Sequence, residues 1–144
     1  MSYEFWANVG AITFISGFSV WLILLARLIF GLYKKDKQII KATIKYIVNT
    51  ISFLFVYIVY FSFAIVVNGP RGDERKKWVL NESLDWIIWA LILSIALTLF
   101  NYFYQIKIEK TSNIKNTLIL FLLNLFIMCY GIYLGGQFTL SYYL

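Results

Sequence analysis

Four long stretches of the chain carry no Asp, Glu, Lys or Arg: residues 5–26, 46–70, 86–106 and 116–144, of 22, 25, 21 and 29 residues. A helix needs roughly 20 apolar residues to cross a bilayer. Runs of this length exclude a barrel of short alternating strands. The pattern predicts an all-α integral membrane protein, a four-transmembrane-helix bundle. The whole chain, 1–144, forms a single membrane domain, with spans at about 6–33, 47–67, 86–106 and 116–138.

The polar links have patterns of their own. Residues 34–46 read KKDKQIIKATIKY, with Lys37, Lys41 and Lys45 every four residues and Ile40, Ile44 and Ile47 on another face. This spacing predicts a short basic amphipathic helix, either lying at a membrane surface or extending span 2. Asn68-Gly-Pro-Arg-Gly-Asp73 is a turn cluster that ends span 2. A loop of mixed charge is expected from there to Asp85, with Asn81 or Ser83 as the N-cap of span 3 and acids in its first turn. Residues 107–115 form a short basic link.

Charge then orients the bundle. Nine basic residues (Arg27, Lys34, Lys35, Lys37, Lys41, Lys45, Lys107, Lys110 and Lys115) fall on one side, against four in the middle loop. The positive-inside rule makes the first side cytoplasmic and puts both termini on the outer side. Trp6, Trp78, Trp86 and Trp89 then lie near the outer interface as an anchoring belt. Arg27 is the one charge well inside span 1, about 10 Å from its centre, from where its long side chain can snorkel to the headgroups. The start lacks a basic leader, so span 1 is expected to be retained. Richness in Ile, Leu, Phe, Tyr, Asn and Lys with a single Pro points to an AT-rich bacterial or mobile-element gene, and hence to the bacterial cytoplasmic (inner) membrane, crossed several times.

Composition narrows the chemistry. The chain is 61% hydrophobic and 14% charged, whereas soluble domains average about 45–50% and about 25%. It has no His and one Cys, so the usual zinc, haem and copper ligand sets are missing, and neither a metal site nor a cofactor is expected. No acid, Lys or His lies at mid-span, where coupled transporters and intramembrane hydrolases carry their ionisable groups. The expectation is a non-enzyme with no catalytic residues. Glu82 and Asp85 read as helix-start acids.

What remains is neutral and polar. In span 3, Ala90, Ser94 and Thr98 recur every four residues, and Asn101 continues their face. In span 4, Asn124, Met128, Gly131 and Gly135 do the same, and the two glycines allow close helix approach. An antiparallel hairpin of spans 3 and 4 brings Asn124 near Thr98 and Asn101, where a hydrogen-bonded cluster is expected. Ser94, Thr98, Asn101, Asn124, Gly131 and Gly135 are therefore either a helix–helix seam or the lining of a neutral pore. Gly10, Thr13, Ser16 and Gly17 form a similar stripe in span 1. Lys34, Lys35, Lys37, Lys41 and Lys45 are candidates for contact with anionic lipid or a cytoplasmic protein partner. They carry no interleaved aromatics for stacking on bases, so no direct nucleic acid binding is expected. Arg75, Lys76, Lys77 and Trp78 are the candidate contact surface of the outer loop.

Two functional classes fit. One is a small homo-oligomeric membrane effector or anchor subunit, channel-like in one version, working with a cytoplasmic partner as in bacterial antiphage defence. The other is a non-conducting binding protein, such as a toxin-immunity or accessory subunit. A small-solute transporter ranks behind both, because no charged substrate site is visible.

Overall fold

The computed structural model describes residues 2–65, 71–111 and 113–142. The described residues contain helices and no strand. Helix α1 spans Tyr3–Tyr33, α2 Lys37–Asn49, α3 Ile51–Ile65, α4 Asp73–Tyr104 and α5 Ile114–Ser141. Thr50 alone separates α2 from α3, so the basic amphipathic segment is the first part of span 2. A π-helical turn, Gln105–Glu109, prolongs α4. The resulting four rods are long and apolar enough to cross a membrane.

Local chemistry sets the helix ends. Ser2 caps α1 by accepting from Phe5 N, and Asp36 caps α2 by accepting from Gln38 N and Ile39 N. Asn113 caps α5 through Asn116 N. Helix α4 starts earlier than the sequence pattern predicts. Residues 73–85, expected as a loop, are helical, and Asn81 and Ser83 lie inside the helix rather than at its cap. The physical reason is that charge argues against membrane depth, not against helix. Asp73 and Glu74 favour the first turn, and the residues after them are mostly good helix formers. The start is fixed by Gly72, whose φ of 61° and ψ of −133° suit only glycine. Asn68, Gly69 and Pro70 of the expected turn lie outside the described residues.

Helices α3 and α5 run parallel, at the bundle's centre. A Cβ on Gly131 would lie 2.9 Å from Val56 Cα, and one on Gly135 would lie 2.6 Å from Phe63 Cδ2. The close approach of Gly131 and Gly135 is thus to α3, not to α4. Helix α4 packs antiparallel against α5, through Ala90, Leu97, Met128 and Ile132. Helix α1 lies outermost and has the smallest buried share of the four. It is fastened near its start, where Trp6 meets Tyr133 and Phe14 stacks on Tyr57 at 4.4 Å. The outward faces are apolar, with Ile15, Ile23, Ile58, Ile95, Leu122 and Phe126 all more than half exposed.

Candidate functional site

A column of buried polar side chains enters the bundle from the end that carries the 34–36 and 110–113 connections, here the lysine end. Three helices build it with helical spacing. Lys45 and Asn49 sit four apart on α2, and Asn101, Gln105 and Glu109 follow at intervals of four on α4 and its π turn. Thr117 and Asn124 sit seven apart on α5. Asn49, Asn101, Gln105, Thr117 and Asn124 are all buried.

The deepest tier is a three-amide network. Asn49 and Asn101 exchange two hydrogen bonds, each side-chain Nδ2 donating to the other's Oδ1 at 2.9 Å. Asn124 Nδ2 donates to the same Asn49 Oδ1 at 2.7 Å. Asn49 Nδ2 also donates to Lys45 O at 2.8 Å. One side chain of α2 therefore joins α4 to α5. Asn101 and Asn124 come together through Asn49 and not through Thr98, whose hydroxyl donates back to Ser94 O. Ser94 is fully buried and donates to Met128 Sδ at 3.8 Å.

One turn above, Gln105 Oε1 accepts from Thr117 Oγ1 and from Asn113 N, both at 3.3 Å. Its Nε2 is buried and has no hydrogen-bond partner. At the mouth, Lys45 Nζ donates to both carboxylate oxygens of Glu109, at 2.7 and 3.0 Å. A buried pair of this kind holds only while both members are present, because its attraction must offset the desolvation of two charges. Lys41 Nζ donates to Ile108 O, and Tyr104 Oη donates to Lys41 O, which tie the π turn to α2.

The structure sorts the predicted contact residues. Lys34, Lys35, Lys37 and Lys41 are exposed, whereas Lys45 is 5% exposed and committed to Glu109. Helical spacing puts Lys45 beside Asn49 on the face that meets α4, so it leaves the outward lysine group. Lys107, Lys110 and Lys115 are exposed at the same end. Its two acids are occupied, Asp36 by the α2 amides and Glu109 by Lys45. Lys35 and Lys110 both adopt left-handed backbone, with φ of 54°, where the chain turns. At the opposite end, Lys76 and Lys77 are exposed, but Arg75 is 4% exposed and Trp78 packs edge-on against Phe63. Those four residues form one helical turn, so they cannot all face outward.

The span 1 stripe is used within the chain. Gly10 admits the Tyr60 ring, Gly17 lies against the Tyr57 hydroxyl, and Thr13 Oγ1 shares a hydrogen bond with Tyr130 Oη. Ser16 bonds back to Ile12 O. Trp21 donates its indole N–H to Thr50 Oγ1 at 3.0 Å, where the α2–α3 join offers a hydroxyl. No group of three or more His, Cys, Asp or Glu side chains converges among the described residues.

Sequence reasoning missed Asn49, Gln105 and the Lys45–Glu109 pair. A signal was present: Asn49 lies inside the apolar run 46–70, four residues after Lys45 and so on the same helix face. Comparison with family models, with curated proteins and with solved structures finds no match to the chain.

Proposed function

We propose that the chain spans a bacterial inner membrane four times, with both termini outside, and serves as an oligomeric anchor or effector subunit for a cytoplasmic protein partner. The observation that carries this reading is the lysine end. Seven lysines are exposed there, and both acids of that end are engaged internally. A face of one sign attracts an acidic partner and steers its approach. The polar residues of the interior support the same division of labour. Ser94, Asn101, Asn124, Gly131 and Gly135 all contact other helices of the same bundle, leaving the outer faces and the lysine end for other molecules. A membrane subunit in antiphage defence fits this form.

The test is purification of the tagged chain in mild detergent, with native mass measurement of everything that comes with it. The expected result is a discrete oligomer carrying a soluble acidic protein. Charge reversal of Lys34, Lys35 and Lys37 to Glu should release that protein while the oligomer persists. Orientation is measured in the same variant, because the positive-inside signal is altered. A companion that stays bound after reversal, or no companion at all, overturns the proposal.

A further inference from the structure

We infer that the chain holds one anionic glycerophospholipid at a defined site, with an acyl chain in the cleft between α1, α3 and α5 and its phosphate on Arg27. The inference rests on the membrane-spanning reading. Helix α1 is joined to α5 near its start, down to the Thr13–Tyr130 hydrogen bond, and to the α2 side again where Gly31 meets Ile39 and Ile40. Between these fastenings α1 stays against the α2–α3 rod, through Gly17 beside Tyr57 and Trp21 Nε1 donating to Thr50 Oγ1, but parts from α5 and leaves a cleft of about 220 Å³. Val20 and Leu24 wall it on α1, Phe53 on α3, and Leu120, Leu123 and Ile127 on α5. It is open to the surface, since Val20 is 37% exposed, Leu123 51% and Tyr46, at its lysine end, 41%. Asn49 and Asn124 close its inner wall, but their amides are turned on one another and on Asn101. The cleft therefore presents an apolar lining and one end that differs from the other.

That end carries the charge. Val20, Leu24 and Arg27 follow at spacings of four and three, one face of α1. Arg27 lies about 4.5 Å beyond Leu24 along the axis, toward the lysine end. It is exposed, and among the described residues no acid pairs with it. On α5, which runs the other way, Asn116 stands one turn before Leu120 and reaches the same end of the cleft. An acyl chain lying along Leu24 thus places its phosphate beside a guanidinium, whose planar fork matches phosphate oxygens. A zwitterionic lipid offers the same phosphate but carries its own cation beside it, so a lipid with net negative charge is attracted more strongly to Arg27.

The full chain, purified in mild detergent and stripped of lipid, is titrated with dioleoyl phosphatidylglycerol or dioleoyl phosphatidylcholine and read by native mass spectrometry. The first lipid bound should favour phosphatidylglycerol by about fivefold, as one basic group near the interface provides. Arg27→Gln should abolish that preference, Arg27→Lys should keep part of it, and Lys37→Gln should leave it intact. Val20→Phe, which fills the cleft, should weaken the first binding event for both lipids. Equal affinity for the two lipids in the unaltered chain, or a preference that survives Arg27→Gln, overturns the site. Loss of preference in Lys37→Gln to the same degree also overturns it, since a diffuse cationic surface would then suffice. Alkaline extraction of membranes separates the two readings. A chain released by alkali ends both, whereas a retained chain without lipid preference ends the lipid site alone.

Discussion

Asn49 and Asn101, 52 positions apart in the sequence, face each other in the bundle and exchange two amide hydrogen bonds of 2.9 Å each. Because Asn49 also accepts from Asn124, its removal strands two buried amides at once, whereas removal of Asn124 strands none of the other pair. Interhelical hydrogen bonds in membrane proteins average about 0.6 kcal/mol. Leaving a buried polar group unsatisfied costs about 1–3 kcal/mol. Asn49→Leu is therefore expected to lower stability by about 2 kcal/mol, and Asn124→Leu by about 0.6 kcal/mol. Unfolding in mixed micelles measures both. In the double variant the two effects should fall short of their sum. Equal losses in the two single variants would mean that the network is not centred on Asn49.

The Lys45–Glu109 pair makes a prediction of sign. The Lys45 side chain is 7% exposed and that of Glu109 20%. Breaking such a pair from one side leaves a charge in poor solvent, at about 3 kcal/mol. Replacing both members by apolar residues removes the desolvation penalty along with the attraction. Lys45→Met should thus destabilise the chain, and Lys45→Met with Glu109→Leu should recover most of the loss. The same unfolding measurement decides it, and a double variant no better than the single one would contradict the argument.

These two networks mark where the sequence is informative and where it is silent. The four rods follow from one-dimensional information, since an apolar run longer than a bilayer has few other uses. The stripe Ala90, Ser94, Asn101 was likewise visible, because helical spacing alone places those residues together. Asn49 was not, because its partners lie on two other helices whose rotation about their axes is set by packing. The rotation of α5 is fixed by Gly131 and Gly135 against Val56 and Phe63 of α3, a helix not adjacent in the chain. Adjacency in the chain implies the α4–α5 hairpin but not this parallel contact. The early start of α4 was hidden for a different reason. Hydropathy reports depth in a membrane, and residues 73–85 are helical without being apolar.

The glycines of α5 differ in what an alanine would meet. At Gly131 the added Cβ falls 2.9 Å from Val56 Cα, so backbone must move. At Gly136 the nearest atom is Val79 Cγ1 at 3.3 Å, a contact that a small side-chain shift relieves. Alanine gains about 1 kcal/mol of helix propensity at either position, while overpacking costs about 1–3 kcal/mol. Gly131→Ala should destabilise the bundle and loosen α3 from α5, and Gly136→Ala should be neutral or mildly stabilising. Thermal unfolding in detergent ranks the two. A stable Gly131→Ala protein would show that the α3–α5 approach is not tight.

Orientation is open to direct measurement by placed cysteines, because the chain has only one of its own. Cys129 sits on the exposed side of α5, at mid-helix, among side chains that face outward. In a bilayer that position contacts lipid, which a charged thiol reagent does not enter. Cys129 should therefore stay unlabelled by an impermeant reagent in intact cells and in opened ones, until detergent is added. In a Cys129→Ala background, Ser2→Cys at the α1 cap is expected to label in intact cells. Lys37→Cys, at the lysine end, should label only after the membrane is opened. The inverse pattern would place the lysine end outside and transfer the proposed partner to that side. Labelling of both positions in intact cells would mean that α1 does not cross the bilayer.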